Sequence, residues 1–77
     1  MISVDILSPK MSRHLDVDCI FFTGVEGPFE VLHNHAPIIS LLEAGKIKWR
    51  VGGKEDSIDV DGGVVMVKDN AIKVCIG

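Results

Sequence analysis

The tightest constraint on this chain is residues 46–51, where cationic and apolar side chains alternate without exception. Ile47, Trp49 and Val51 leave one face and Lys46, Lys48 and Arg50 the other, because successive side chains of a strand project to opposite sides. Gly52-Gly53 follows and supplies the positive φ values of a tight hairpin turn. Residues 57–61 then return with Ile58 and Val60 inward and Ser57, Asp59 and Asp61 outward. A half-buried antiparallel hairpin is the unit this pattern specifies.

The same period recurs along the chain. Ile2, Val4 and Ile6 alternate with Ser3, Asp5 and Leu7 until Pro9 ends the run. A more apolar strand is expected over residues 16–22, and a short cluster, Phe29-Glu30-Val31-Leu32, cannot be classified alone. Residues 38–42 fit helical spacing as well as a doubly buried strand. Their length and the Ala44-Gly45 stop favour the strand. Past Gly62-Gly63, residues 64–68 form an apolar strand, Asp69-Asn70 supplies turn chemistry, and Ile72, Val74 and Ile76 share the face of a last strand. No segment has the length and caps of a stable helix. The pattern predicts an all-β domain over residues 1–77: a small antiparallel β-sandwich or flattened barrel of about eight to ten short strands in two sheets.

A chain of 77 residues buries only about 60% of the surface it exposes when unfolded. An apolar content of 47% excludes disorder and is a large share for so small an interior, so an apolar surface patch is expected, of the kind that marks a partner site. The net charge of −3 offers no basic stripe for nucleic acid. No basic n-region precedes an apolar h-region at the start. Apolar runs of about four residues fall far short of the ~20 needed for a membrane-spanning helix, which predicts a cytosolic or peripheral protein. Cys19 and Cys75 are too few and too far apart for a disulfide framework. Two buried or half-buried thiols are expected, with a bridge between adjacent strands as the alternative.

Four groupings invite a chemical reading. In His33-Asn34-His35, two imidazoles on one strand face could begin a zinc or iron site, but His14, Glu30 and Glu43 are the only candidates for a third ligand and no spacing ties them to the pair. Structural or interface histidines are the expected reading, and no metal or cofactor is assigned. Residues 24–28 lack the Lys-Ser/Thr and the helix of a phosphate loop. Asp16 and Asp18 read as alternating acids on a solvated strand face rather than as an acid–base pair. Cys19 lies in an apolar run that raises a thiol pKa instead of activating it. No catalytic residue is assigned.

Residues 24–39, Gly-Val-Glu-Gly-Pro-Phe-Glu-Val-Leu-His-Asn-His-Ala-Pro-Ile-Ile, resemble one family. The pattern is that of the N-terminal β-sandwich of the epsilon subunit of F-type ATP synthases, called delta in mitochondria. That family reads glycine, two residues, glycine, a gap, then Phe-Gly-Val-Leu-Pro-Gly-His-Ala-Pro-Leu-Leu. Leu42-Glu43-Ala44-Gly45-Lys46-Ile47 is similar to its Leu-x-x-Gly-x-Val step. Val60-Asp61-Gly62-Gly63-Val64-Val65-Met66-Val67 is similar to its Val-x-Gly-Gly-Phe-x-x-Val, and Asn70-Ala71-Ile72-Lys73-Val74 to its Asn-x-Val-x-Val. Residues 4–9 fit its opening strand. Glu30 stands where the family has glycine, His33-Asn34 replaces Pro-Gly, and the region around Met11 to His14 is trimmed.

The resemblance implies a non-catalytic subunit of the central stalk, or rotor. It would bind the gamma subunit and rest on the membrane-embedded c-ring, so that ion-driven rotation is coupled to ATP synthesis. By position, Ser8, His35 and Ser40, with Ala36, Pro37, Ile38 and Ile39, would lie against gamma. The loop Glu26-Gly27-Pro28-Phe29 would touch the ring. The implied location is peripheral, on the cytoplasmic face of a bacterial inner membrane. The helical hairpin that follows this domain in the family is expected to be absent. Two other readings stand beside this one: an independent β-sandwich protein-binding module, and a metal-dependent enzyme built on His33 and His35.

Overall fold

In the computed structural model, which describes every residue from Met1 to Gly77, the chain folds into nine strands and no helix. They are β1 (Ile2–Leu7), β2 (Ser12–Val17), β3 (Cys19–Gly24), β4 (Gly27–Val31), β5 (Ile38–Leu42), β6 (Gly45–Val51), β7 (Lys54–Val60), β8 (Gly63–Lys68) and β9 (Ala71–Ile76). One ladder runs β2-β1-β9-β8-β5 and a second runs β4-β3-β6-β7. The all-β sandwich expected from the sequence is the fold observed. Its two layers are joined at a corner where Gly24 of β3 pairs with Leu42 of β5. There Val25 N–H donates to the Leu41 carbonyl and Glu43 N–H to the Thr23 carbonyl, each at 2.9 Å, so the sheet curls round as a half-barrel. One pairing departs from the antiparallel pattern: β1 and β9, from the two ends of the chain, run parallel.

Turn chemistry sets the strand register. Gly52 and Gly53 take φ values of 57° and 82°, and Val51 pairs with Lys54 across them. This two-residue loop has the twist that flanking strands require. Asp69 and Asn70 do the same at 53° and 59°, which short polar side chains tolerate, and Lys68 pairs with Ala71. Because β7 starts at Lys54, it begins three residues ahead of the return strand read from the alternation.

The alternation places the core. Ile2, Val4 and Ile6 of β1, Val65 and Val67 of β8 and Ile72 and Val74 of β9 face Ile20 and Phe22 of β3 and Ile47 and Trp49 of β6 in one buried cluster. Each large side chain removed from water contributes about 1.5–3 kcal/mol. No polar or charged residue is buried. Phe29 of β4 stacks on Phe22 with ring centroids 5.3 Å apart. At the β2 edge the Arg13 guanidinium lies 5.3 Å from the centre of the Trp49 ring, a cation–π contact across the mouth of the sandwich.

Residues 16–22 form two strand segments instead of one, because the chain changes layers at Asp18. Its N–H donates to the Arg50 carbonyl at 2.8 Å, and its carboxylate accepts from Gly52 N–H at 2.9 Å. Asp16 therefore lies on β2 while Asp18 anchors the β6–β7 turn, and the two do not share a strand face. Cys19 is buried and Cys75 exposed, both as free thiols. Cys75 points outward from β9 because it alternates with the buried Val74, which corrects the expectation of two sheltered thiols.

Candidate interaction surface

On the five-stranded layer, Ile39 and Leu41 of β5 and Val64 and Met66 of β8 take the outward parity, opposite to the inward Leu42, Val65 and Val67. Cross-strand pairing sets Ile39 against Met66 and Leu41 against Val64. Val25, at the tip of the β3–β4 hairpin, is hydrogen-bonded to the Leu41 carbonyl and adds to the group. Ile39 is 76% exposed, Leu41 61% and Val25 52%. Single exposed apolar residues are ordinary on soluble proteins. Several in contiguous register form an apolar patch on the sheet face.

The other half of this outer face is polar. His14 of β2 is held by Asp5 of β1, Nδ1 to Oδ1 at 2.7 Å, and its Nε2 lies 3.4 Å from Asp16 Oδ1. The hydrogen bond to Asp5, aided by the charge of Asp16, raises the imidazole pKa above its ordinary 6.5. On the four-stranded layer, β6 presents Lys46, Lys48 and Arg50, with Lys46 paired to Asp59 at 2.9 Å and Arg50 5.6 Å from the centre of the Phe21 ring. Burial, together with the Glu30 carboxylate, pushes the Cys19 thiol up.

The residues assigned to gamma by resemblance do not form one cluster. Ser8 follows β1 at the end of the sandwich where Leu7 pairs with Cys75, and its hydroxyl accepts from Met11 N–H at 3.1 Å. His35, Ala36 and Pro37 lie at the opposite end, leading into β5. Ile38 packs against the core and Ser40 is half-buried on the same side of the strand; Ile39 between them points outward. Among the ring-contact residues, Glu26 is exposed at the hairpin tip and Gly27 has φ 127°. Pro28 is exposed on β4, whereas Phe29 turns inward onto Phe22.

The histidine pair does not share a strand face. Asn34 between them takes φ 63°, so the backbone turns there, and asparagine tolerates that conformation. Asn34 N–H donates to Asn70 Oδ1 at 2.6 Å, His33 Nε2 lies 3.4 Å from Asn70 Nδ2, and His35 Nδ1 donates to the Ala36 carbonyl at 2.7 Å. No three His, Cys, Asp or Glu side chains are grouped to hold a metal. Glu30 sits in regular strand opposite Phe21. Leu41, Val64 and Met66 were not singled out by the sequence reading. Their membership of the patch depends on β5–β8 register, and the signal for them was the outward parity of each strand.

The architecture defines a small β-sandwich with an uncovered apolar sheet face. The ATP synthase delta/epsilon chain beta-sandwich domain family matches residues 1–76. The ATP synthase epsilon chain of Leptospira borgpetersenii serovar Hardjo-bovis is 38% identical over 74 residues, covering 95% of this chain and 58% of that relative. The epsilon chain of Rhodopseudomonas palustris is 35% identical over 71 residues, covering 91% and 53%. A chain of the Euglena gracilis mitochondrial ATP synthase (OSCP/F1/c-ring) superposes with a TM-score of 0.90 at 23% identity, over 97% of this chain and 49% of that one. One from the central stalk/c-ring of the Tetrahymena thermophila enzyme gives 0.81 at 20% identity, over 96% and 61%. These structural likenesses establish the fold. The chain belongs to the ATP synthase delta/epsilon β-sandwich family, and it spans between half and two thirds of the curated relatives named here.

Proposed function

We propose that this chain is a non-catalytic rotor subunit of an F-type ATP synthase that binds gamma and rests on the c-ring, coupling ion-driven rotation to ATP synthesis. The observation that carries the reading is the uncovered Ile39–Met66 face on a domain of this family. A sheet face of this kind is stabilised by a partner that covers it, and two sheet layers packed on one dense core are a stiff element through which to pass torque. The gamma contact centres on Ile39, with Leu41, Val25 and Met66 beside it and Ala36 and Pro37 at its edge. The ring contact is the exposed tip Glu26-Gly27-Pro28. Its carboxylate steers docking onto polar or cationic ring loops more than it holds them. In this role the protein would sit peripherally at the cytoplasmic face of a bacterial inner membrane, held there by the complex. No helix of the structure is long and apolar enough to cross a membrane.

The test is co-purification of the tagged chain with gamma and ring subunits from membranes of its own source. Recovery of a stoichiometric stalk complex is the expected result. A chain that elutes alone, or with an unrelated partner, sinks the reading and returns the domain to an independent binding module.

A further inference from the structure

Residues 32–37 carry the chain from β4 in one layer to β5 in the other. Their single main-chain hydrogen bond, from His35 N–H to the Leu32 carbonyl at 3.2 Å, closes the turn on itself. His35 Nδ1 likewise donates within the loop, to the Ala36 carbonyl. Every hydrogen bond that ties this segment to another part of the chain ends on one side chain, that of Asn70 in the β8–β9 turn. Asn70 Oδ1 accepts from Asn34 N–H at 2.6 Å, while Asn70 Nδ2 donates to Asn34 Oδ1 at 3.1 Å and lies 3.4 Å from His33 Nε2. The turn that bears Asn70 is itself anchored. Its Asn70 carbonyl accepts from Ser3 N–H of β1 at 3.0 Å, and Lys68 pairs with Ala71 across it.

We infer that Asn70 is a positioning residue for the gamma contact: its side chain holds the 32–37 loop so that Ala36 and Pro37 stand fixed beside Ile39. The inference rests on the gamma-binding reading above and adds a residue that acts on the partner through the loop. The β8–β9 hairpin alone does not call for asparagine. Asp69 and Asn70 take φ values of 53° and 59°, and a two-residue turn of that kind accepts glycine at its second position as readily. What asparagine has and glycine lacks is the amide, with an acceptor and a donor that match the N–H and the side-chain carbonyl of Asn34. Register sets the loop next to the patch, because Ile38 pairs with Val67 and Ile39 with Met66 and Pro37 leads directly into that strand. A loop left free would lose conformational entropy on meeting gamma. One held in advance avoids that loss and binds more tightly.

The test compares the wild-type chain with Asn70→Gly, which keeps the turn and removes the amide, and with Asn34→Gly, which keeps the positive φ and the main-chain bond to Asn70. Amide hydrogen exchange and urea midpoints are measured on the chain alone, and affinity by calorimetric titration of gamma from the same source. Asn70→Gly is expected to speed exchange at Asn34 about tenfold and to weaken gamma binding about fivefold, the loss appearing as a less favourable entropy. Asn34→Gly is expected to fall between Asn70→Gly and the wild type in both measurements, and it carries the test alone if Asn70→Gly does not fold. Unchanged gamma affinity, whatever happens to the urea midpoint, assigns the amide to the fold alone; it overturns this inference and leaves the gamma reading intact. Exchange at Asn34 that is no faster in Asn70→Gly has the same consequence. Failure of the wild-type chain to bind gamma removes both.

Discussion

Gly24 and Leu42 form the one residue pair that joins the two layers into a continuous sheet. The absence of a side chain at Gly24 permits the junction. A Cβ there would lie 2.8 Å from the Gly27 carbonyl oxygen and 3.0 Å from Phe29 Cε1. One contact is with backbone and the other with a ring stacked on the core, so neither yields cheaply. Gly24→Ala is expected to destabilise the fold by about 1–3 kcal/mol, read from urea midpoints. An unchanged midpoint would show that the β3–β4 hairpin shifts freely.

Ile39 and Ile38 are adjacent but make opposite predictions. Ile39→Asp is expected to leave stability within about 0.5 kcal/mol while reducing gamma affinity by more than ~1 kcal/mol. Ile38→Asp places a carboxylate against the core and lowers stability itself. Thermal unfolding and gamma titration of both variants check the contrast. Equal behaviour of the two would mean that the β5 parity is wrong.

The His14–Asp5–Asp16 cluster gives stability a pH dependence of fixed sign. The folded imidazole pKa is raised, so its contribution is complete below the unfolded value of about 6.5 and is lost as pH rises through the folded value. Denaturation midpoints between about pH 6 and pH 8 should therefore fall more steeply for the wild-type chain than for His14→Gln. Parallel profiles would remove the cluster as the cause.

The two thiols should differ sharply in reactivity. Cys75 is exposed and Cys19 is buried with a raised pKa, so a thiol reagent is expected to modify Cys75 in the native protein and Cys19 only on unfolding. Mass spectrometry of a timed reaction distinguishes them. Modification of both at equal rates would contradict the packing of β3.

Much of this architecture is legible in the amino-acid sequence because local chemistry specifies it. The alternation along β6 and the turns at Gly52-Gly53 and Asp69-Asn70 each fix a hairpin without help from distant residues. What depends on long-range register is not legible. Ile38 and Ile39 are indistinguishable in an apolar run, and only pairing with Val67 and Met66 on β8 shows which one faces solvent. Asp18 read as one more outward acid because its role, accepting from Gly52 N–H, spans 34 residues of chain. The His33–His35 spacing puts both rings on one face only in extended chain, and the positive φ of Asn34 turns the backbone between them. Resemblance named Ser8 and His35 together, whereas the strand directions place them at opposite ends of the sandwich.

The hydrogen bond from Val25 N–H to the Leu41 carbonyl fastens the hairpin tip to the strand that bears the uncovered isoleucine. The position of Glu26 is therefore tied to β5 through main chain, and a displacement of the tip strains that hydrogen bond unless the apolar face follows.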